Sequence, residues 1–504
     1  MNNALPIQLS GKNIHSIAGE NLVKPTAAQL GLPEKVLQFG TGALLRGLPD
    51  YFIDEANRKG IFNGRVVVVK STGAGSTDAF DEQDGLYTLC IRGIDNGRQV
   101  SRNIINSAIS RVISAKDHWQ EVLFVAKDPA VQTVISNTTE VGIQYVEESI
   151  SGQAPKSFPG KLLACLHARY TAFEDKTKAG MVILPTELIS NNGTTLAAIL
   201  VKLATYNALG EAFIQWINAE NIFCNTLVDC IVPGYPDKSF LDSFEAEFGY
   251  TDQLLTVTEV YRLWAIEGDD NLARRISFGN LDNGIVIAPN IQKFKELKLR
   301  LLNGTHTLSC GVAFLCNIPT VKAAMDDPAM RGFISNTMLH EIAPAIPYEI
   351  PKEDALQFAN QVLDRFSNPG IAHPWLSITM QYSSKLRQRC IPVLQKFVEE
   401  FKVVPKHFAL GFAAYLLFTK PVRKDGEQYF GSWLGKEYPI KDDQAAYYFG
   451  LWKGHTSSEI VQLALQNQDL WGIDLTSIPD FEAAVLKYLE SLQNEGATQT
   501  LAGL

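Results

Sequence analysis

The chain has 504 residues, of which 46% are hydrophobic and 20% charged, with a net charge of −9. That length suits two or three domains with substantial cores. No run approaches the roughly 18 to 20 apolar residues of a membrane span, and no basic stripe offers a footprint for nucleic acid.

The first residues lack the basic and apolar segments of a secretory signal. The seven cysteines form no Cys-x-x-Cys pair and the eight histidines are dispersed. We therefore expect reduced thiols in the cytoplasm and no metal site.

Residues 35–40 read as a buried strand that turns at Gly40-Thr-Gly42 into an amphipathic helix, expected to run to about Lys59 with Gly60 as its stop. Residues 65–70 are apolar almost throughout, as strands of a parallel sheet usually are. The result is a βαβ unit with glycines at its first crossover, where a pyrophosphate would approach a helix N-terminus. Leu45 takes the place of the third glycine of G-x-G-x-x-G. The second strand ends in Lys70-Ser-Thr72, with no acidic residue for a ribose 2′-hydroxyl. Lys70 would accept a 2′-phosphate, so NADP stays open beside NAD.

Residues 86–94, Asp95-Asn-Gly97 and the stretch from Arg98 predict a β-hairpin. A helix is expected over 117–127. A strand over 131–136 empties into Asn137-Thr-Thr-Glu140, which is either a hydrophilic loop or a polar quartet meeting the nicotinamide end of a cofactor. Residues 161–175 predict a helix and 181–185 a strand leading to Glu187 and Asn191-Asn-Gly193, with a helix from about Thr194. Residues 225–233 mix strand-like and polar positions. From 291 onward the pattern is almost all helical, over about 291–317, 330–342, 353–366, 374–400, 406–418, 442–452, 456–468 and 480–493. The fold expected is α/β: a Rossmann-type dinucleotide-binding domain with extra strands over 1–290, then a mainly α-helical substrate-binding and catalytic domain over 291–504.

Lys298, Asn303 and His306 form a K-x-x-x-x-N-x-x-H pattern in an otherwise apolar stretch. On an α-helix Asn303 falls about 140° and His306 about 80° from Lys298, so all three fit on one side. Leu299, Leu301, Leu302, Leu308 and Val312 indicate that much of this helix is buried. Burial, with Lys293, Lys295 and Arg300 nearby, favours the neutral amine that a general base needs. Amine, amide and imidazole together can move a proton to or from an alcohol oxygen while its carbon exchanges a hydride. Taken singly, a lysine here reads equally well as a solvated side chain and a histidine as a core residue.

The chain resembles the polyol-specific long-chain dehydrogenases, the mannitol dehydrogenase family. The resemblance rests on residues 37–42 with Arg46, 83–89, 136–140, 223–229, the Lys298/Asn303/His306 set, 365–369, and His373 and Lys385 with Arg389. Residues 232–236, 302–307 and 438–443 are closer to its uronate-reductase branch than to its mannitol branch. Cys230 stands where the family usually has arginine, and Lys293-Phe294 where it has Pro-Tyr.

The resemblance implies catalytic roles for Lys298, Asn303, His306 and, as a second polarising amide, Asn192. The cofactor contacts expected are Phe39, Gly40, Thr41, Gly42, Arg46, Lys70, Ser71, Asn137, Thr138, Thr139 and Glu140. Asp229, His373 and Lys385 match positions associated with substrate hydroxyls, and Arg389 is a further substrate-binding candidate. The expected partner is a small sugar acid, whose carboxylate needs a cation from among Lys385, Arg389 and Arg300. The expected state is a monomer or small homo-oligomer, with the ligand cleft between the domains. The alternatives are a fructuronate reductase or a mannitol/polyol dehydrogenase on the same fold, and a catalytically silent cofactor-binding regulator.

Overall fold

The computed structural model describes residues 7–71, 77–138, 142–281, 284–371 and 373–504. Six strands build a parallel sheet: β1 Glu34–Phe39, β2 Arg65–Lys70, β3 Ile109–Ser114, β4 Thr133–Ser136, β5 Val182–Pro185 and β6 Ile222–Phe223. They lie in the order β6-β5-β4-β1-β2-β3. This is the Rossmann order, in which the chain reverses direction across the sheet between β1 and β4 and ligands gather at the strands' carboxyl ends.

Alternate residues of β1 and β2 enter two separate cores. Val36, Val66 and Val68 pack with Phe52 and Trp264, whereas Leu37, Phe39, Val67 and Val69 pack with Leu163, Leu196 and Trp216. Burial on both faces is why these strands are unbroken apolar runs.

The single helix expected after Gly42 is two, Ala43–Gly47 and Pro49–Arg58. Leu48 sits between them at φ −128, ψ −76, and Pro49 starts the second. Proline lacks the N–H that would continue the first helix and disfavours helical backbone in the residue before it.

The hairpin forms as Tyr87–Asp95 and Arg98–Asn106, with Asn96 and Gly97 at φ 50 and 72. Both turn residues tolerate that left-handed backbone. Thr256–Glu259 and Leu22–Val23 flank the hairpin. A further sheet joins Thr226–Asp229, Leu263–Glu267 and Ile285–Ala288.

By their contacts the residues fall into two compact units, Met1–Gly93 with Gln99–Ile291, and Ile94–Arg98 with Gln292–Leu504. The hairpin's tip belongs to the second, where Gly97 N–H donates to Asp364 Oδ2 at 3.3 Å. In that unit every residue from His407 to Phe418 of helix Lys406–Phe418 is buried. This helix packs against Thr305–Leu315 and Phe481–Asn494. A Cβ at Gly311 would stand 2.8 Å from Tyr382 Oη and 3.3 Å from the Ala414 backbone, so glycine permits the close helix approach. The second unit also contains an antiparallel sheet absent from our expectation, Arg423–Asp425, Gln428–Trp433 and Lys436–Ile440. Among the described residues no helix is long and apolar enough to cross a membrane.

Candidate active site

In the first unit the loops after β1, β4 and β5 are stitched together. Gly40 adopts φ +126, and a Cβ there would come within 2.9 Å of both Asn137 O and Leu45 Cδ1. Leu45 therefore fills the space that the third glycine would have left open. At Gly42, a Cβ would meet nothing within 4 Å. Arg46 turns back on the loop, Nη1 donating to Thr41 O at 2.7 Å and Nε to Thr256 Oγ1 at 3.0 Å, and so fixes the turn. Phe39 is buried against Phe158. Lys70 is half-buried at the end of β2, and the buried Ser71 Oγ has no hydrogen-bond partner among the described residues.

Beyond β4, Asn137 Nδ2 donates to Thr186 Oγ1 at 3.0 Å. Glu187, itself buried, accepts from Thr138 N at 2.9 Å, Thr138 Oγ1 at 3.0 Å and Ser136 Oγ at 3.2 Å. Thr139 and Glu140 lie outside the described residues.

Asn192 departs from the expected donor role. Its Nδ2 donates to the carbonyls of Pro185 at 3.0 Å and Glu187 at 3.1 Å, and its Oδ1 accepts from the N–H groups of Gly193 and Thr226, both at 2.9 Å. An amide engaged on both sides ties β5 to Thr226–Asp229 and leaves no donor open. Asn191, beside it, is the exposed one, at φ 51. Asp229 is buried at the end of its strand.

In the second unit the expected continuous helix is three segments. Gln292–Leu297 is α-helical, Lys298–Gly304 is a π-helix and Thr305–Leu315 is α-helical again. Hydrogen bonds in a π turn reach five residues back. Asn303 therefore follows Lys298 by one turn, whereas an α-helix would set the two about 140° apart. The helical-wheel placement is corrected in favour of closer alignment. Both residues are half-buried.

His306 begins the next turn and is 8% exposed. Its ring lies flat on Phe366, centroids 4.2 Å apart and 10° between planes. It meets His373 edge-on at 5.3 Å and Trp375 at 5.8 Å. Its Nε2 is buried without a partner among the described residues. Burial, then His373, Arg365, Arg389 and Lys385, hold the imidazole well below the usual histidine range. It is neutral at physiological pH and can donate at one nitrogen and accept at the other. Burial and then Lys385 lower the half-buried His373 in the same way.

The three candidate cations differ in their surroundings. Arg300 is buried, with Nε on Glu296 Oε2 at 2.9 Å and Nη1 on the carbonyls of Gln388 at 2.6 Å and Arg389 at 3.0 Å. It closes the C-terminal end of helix Tyr382–Arg389 and is withdrawn as a carboxylate receptor. Arg389 Nη1 donates to Thr307 Oγ1 at 3.0 Å, and Lys385 Nζ to Ile378 O at 2.9 Å. Neither makes an ion pair among the described residues. Burial lowers both below their ordinary ranges, and Arg389 lowers Lys385 further.

The structure thus gathers His306, His373, Lys385 and Arg389 in the second unit, with Lys298 and Asn303 on the turn just before His306. Sequence reasoning missed Glu187, Thr307 and Arg365 as parts of these arrangements. A carboxylate two residues past a buried strand was the available signal for the first, and the Thr-His-Thr run after Gly304 for the second. Among the described residues no group of three or more His, Cys, Asp or Glu side chains gathers as metal ligands.

Known proteins match this chain along nearly its whole length. Residues 34–279 match the mannitol dehydrogenase Rossmann domain and 290–493 the mannitol dehydrogenase C-terminal domain. Altronate oxidoreductase of Halalkalibacterium halodurans is 35% identical over 498 residues, covering 97% of this chain and 96% of that protein. Altronate oxidoreductase of Bacillus subtilis is 36% identical over 474 residues, covering 93% and 95%. The structure of Pseudomonas fluorescens mannitol 2-dehydrogenase in ternary complex with NAD and D-mannitol superposes with a TM-score of 0.68 at 22% identity, covering 99% of each chain.

Proposed function

Because the chain belongs to the mannitol dehydrogenase family, we propose that it catalyses D-tagaturonate + NADH + H⁺ ⇌ D-altronate + NAD⁺. The observation that carries this reading is the group around His306. A neutral imidazole with an open nitrogen stands among His373, Lys385 and Arg389, next to the Lys298–Asn303 turn. Two half-buried cations without ion-pair partners among the described residues suit an anionic sugar better than a neutral polyol. The curated relatives named altronate oxidoreductase support the same substrate class.

The first unit fits a dinucleotide. The left-handed Gly40, the open space at Gly42 and the unpartnered Ser71 Oγ leave room and one hydroxyl for it. Phe39, Gly40, Thr41, Gly42, Lys70, Ser71, Asn137 and Thr138 would hold NAD, with Arg46 and Glu187 fixing the loops. When bound, the nicotinamide supplies or accepts the hydride.

The chain's own residues handle the proton and the charge. As the ketone becomes an alkoxide, the Asn303 amide donates a hydrogen bond to that oxygen, where a fixed donor is worth several kcal/mol. Protonated Lys298 then delivers the proton at Nζ, and neutral Lys298 removes it in the reverse direction. His306 orients a neighbouring hydroxyl. Asp229 and His373 bind further hydroxyls, and Lys385 and Arg389 face the carboxylate. Asn192 acts as a positioning residue. We place the protein in the cytoplasm, as a monomer or small homo-oligomer, a setting that its seven free cysteines suit.

Stopped-flow mixing of NADH-loaded protein with D-tagaturonate tests the proton transfer. Lys298→Ala should slow hydride transfer by about 10²–10⁴-fold with NADH affinity close to the parent's. Hydride transfer at the parent's rate in that variant would remove Lys298 from the mechanism.

A further inference from the structure

We propose that Arg389, anchored by Thr307 and backed by Lys385, is the receptor for the substrate's carboxylate and sets the preference for sugar acids over neutral sugars. The proposal rests on the reading above and deepens it.

The geometry starts from Thr307, whose Oγ1 donates to Asn303 O at 2.7 Å and accepts from Arg389 Nη1 at 3.0 Å. Arg389 Nη1 also lies 3.5 Å from Asn303 O. The guanidinium is therefore held against the backbone of the residue assigned to the reacting oxygen. Its Nε and Nη2 make no hydrogen bond among the described residues. A guanidinium fixed through one nitrogen keeps an edge of its fork for a carboxylate, and Arg–carboxylate pairs favour that two-point contact.

Lys385 lies four residues earlier on helix Tyr382–Arg389, on the same face. Like charges at that spacing repel, and an anion lying between them relieves the repulsion.

The neighbouring acids are already engaged. Glu296 pairs with Arg300. Asp442 accepts from Ser383 N at 2.7 Å, Ser383 Oγ at 2.8 Å and Gln444 N at 2.9 Å. Arg300 covers the Gln388 and Arg389 carbonyls, the electronegative end of the helix that would otherwise oppose an anion. The protein thus supplies cations here and removes competing acceptors, although its net charge is −9.

The test compares kcat/KM for D-tagaturonate with that for D-tagatose, the ketose that carries a hydroxymethyl group in place of the carboxylate, using the full-length protein and NADH. Arg389→Gln should raise KM for D-tagaturonate by about 100-fold, with the ratio of the two specificities falling by a similar factor. Arg389→Lys, which keeps the charge and loses the fork, should recover part of that ratio. Thr307→Val, which frees the guanidinium, should lower it less and serves if Arg389→Gln does not fold. Equal losses on the acid and the neutral ketose in these variants would overturn the proposal. A parent protein that reduces D-tagatose and no ketouronate would instead overturn the function on which the proposal stands.

Discussion

The side chains beyond β4 and β5 in the first unit and those around His306 in the second engage their polar atoms differently. Beyond β4 and β5 of the first unit, the Asn192, Glu187 and Asn137 side chains are engaged by neighbouring backbone and hydroxyl groups. Around His306 in the second unit, polar atoms are left over among the described residues: an unpartnered Nε2, an Arg389 held by one nitrogen and a Lys385 held by one carbonyl. Buried polar groups that bond one another build a scaffold, and those left open await a ligand. The contrast assigns recognition of the sugar mainly to the helical unit and the shaping of a dinucleotide site to the sheet.

Exchanging an asparagine in each unit is the sharpest way to break that contrast. Asn303→Ala should lower turnover by about 10²–10³-fold with little change in melting temperature. Asn192→Ala should cost about 2–3 kcal/mol of stability, because it removes the acceptor of the Gly193 and Thr226 N–H groups, with the larger effect seen in thermal melting. A variant at Asn192 that melts like the parent yet loses turnover would move that residue to the reacting side.

A smaller effect comes from the core of the first unit. Burial pushes the Asp50 carboxyl up to about 7, although a hydrogen bond from Gln38 and the charge of Arg46 oppose the shift. An acid whose folded pKa lies above its unfolded value of about 4 disfavours folding once it ionises. Its burden is absent below about pH 4, grows through neutrality and is complete above the folded value. Asp50→Asn should therefore melt above the parent at pH 8, with the gain shrinking toward pH 5. Substrate preference should stay that of the parent, since this group belongs to the scaffold.

Strands β1 and β2 were legible almost to the residue because both faces are buried and the apolar run is continuous. The Lys298/Asn303/His306 set was legible as a pattern, but its geometry was not. Apolar periodicity does not register the π turn that brings Asn303 one turn above Lys298. The break at Leu48 was signalled by Pro49 and overridden by the amphipathic pattern around it. The sheet Arg423–Ile440 was announced by Asp425-Gly426 and Leu434-Gly435, turn pairs in a stretch without helical periodicity.

The role of Asn192 depends on Thr226, and the difference between Arg300 and Arg389 on which carbonyls and hydroxyl fold beside each. These partnerships join residues far apart in the chain, so charge and spacing do not reveal them.

The most direct test is the initial rate of NADH oxidation by the parent protein with D-tagaturonate, D-fructuronate and D-tagatose, followed at the NADH absorbance band and repeated with NADPH. D-tagaturonate should be reduced with the highest kcat/KM, exceeding the neutral ketose by at least about 100-fold. Reduction of D-tagatose as efficient as that of either ketouronate, or no oxidation of either cofactor with any of the three, would contradict the account.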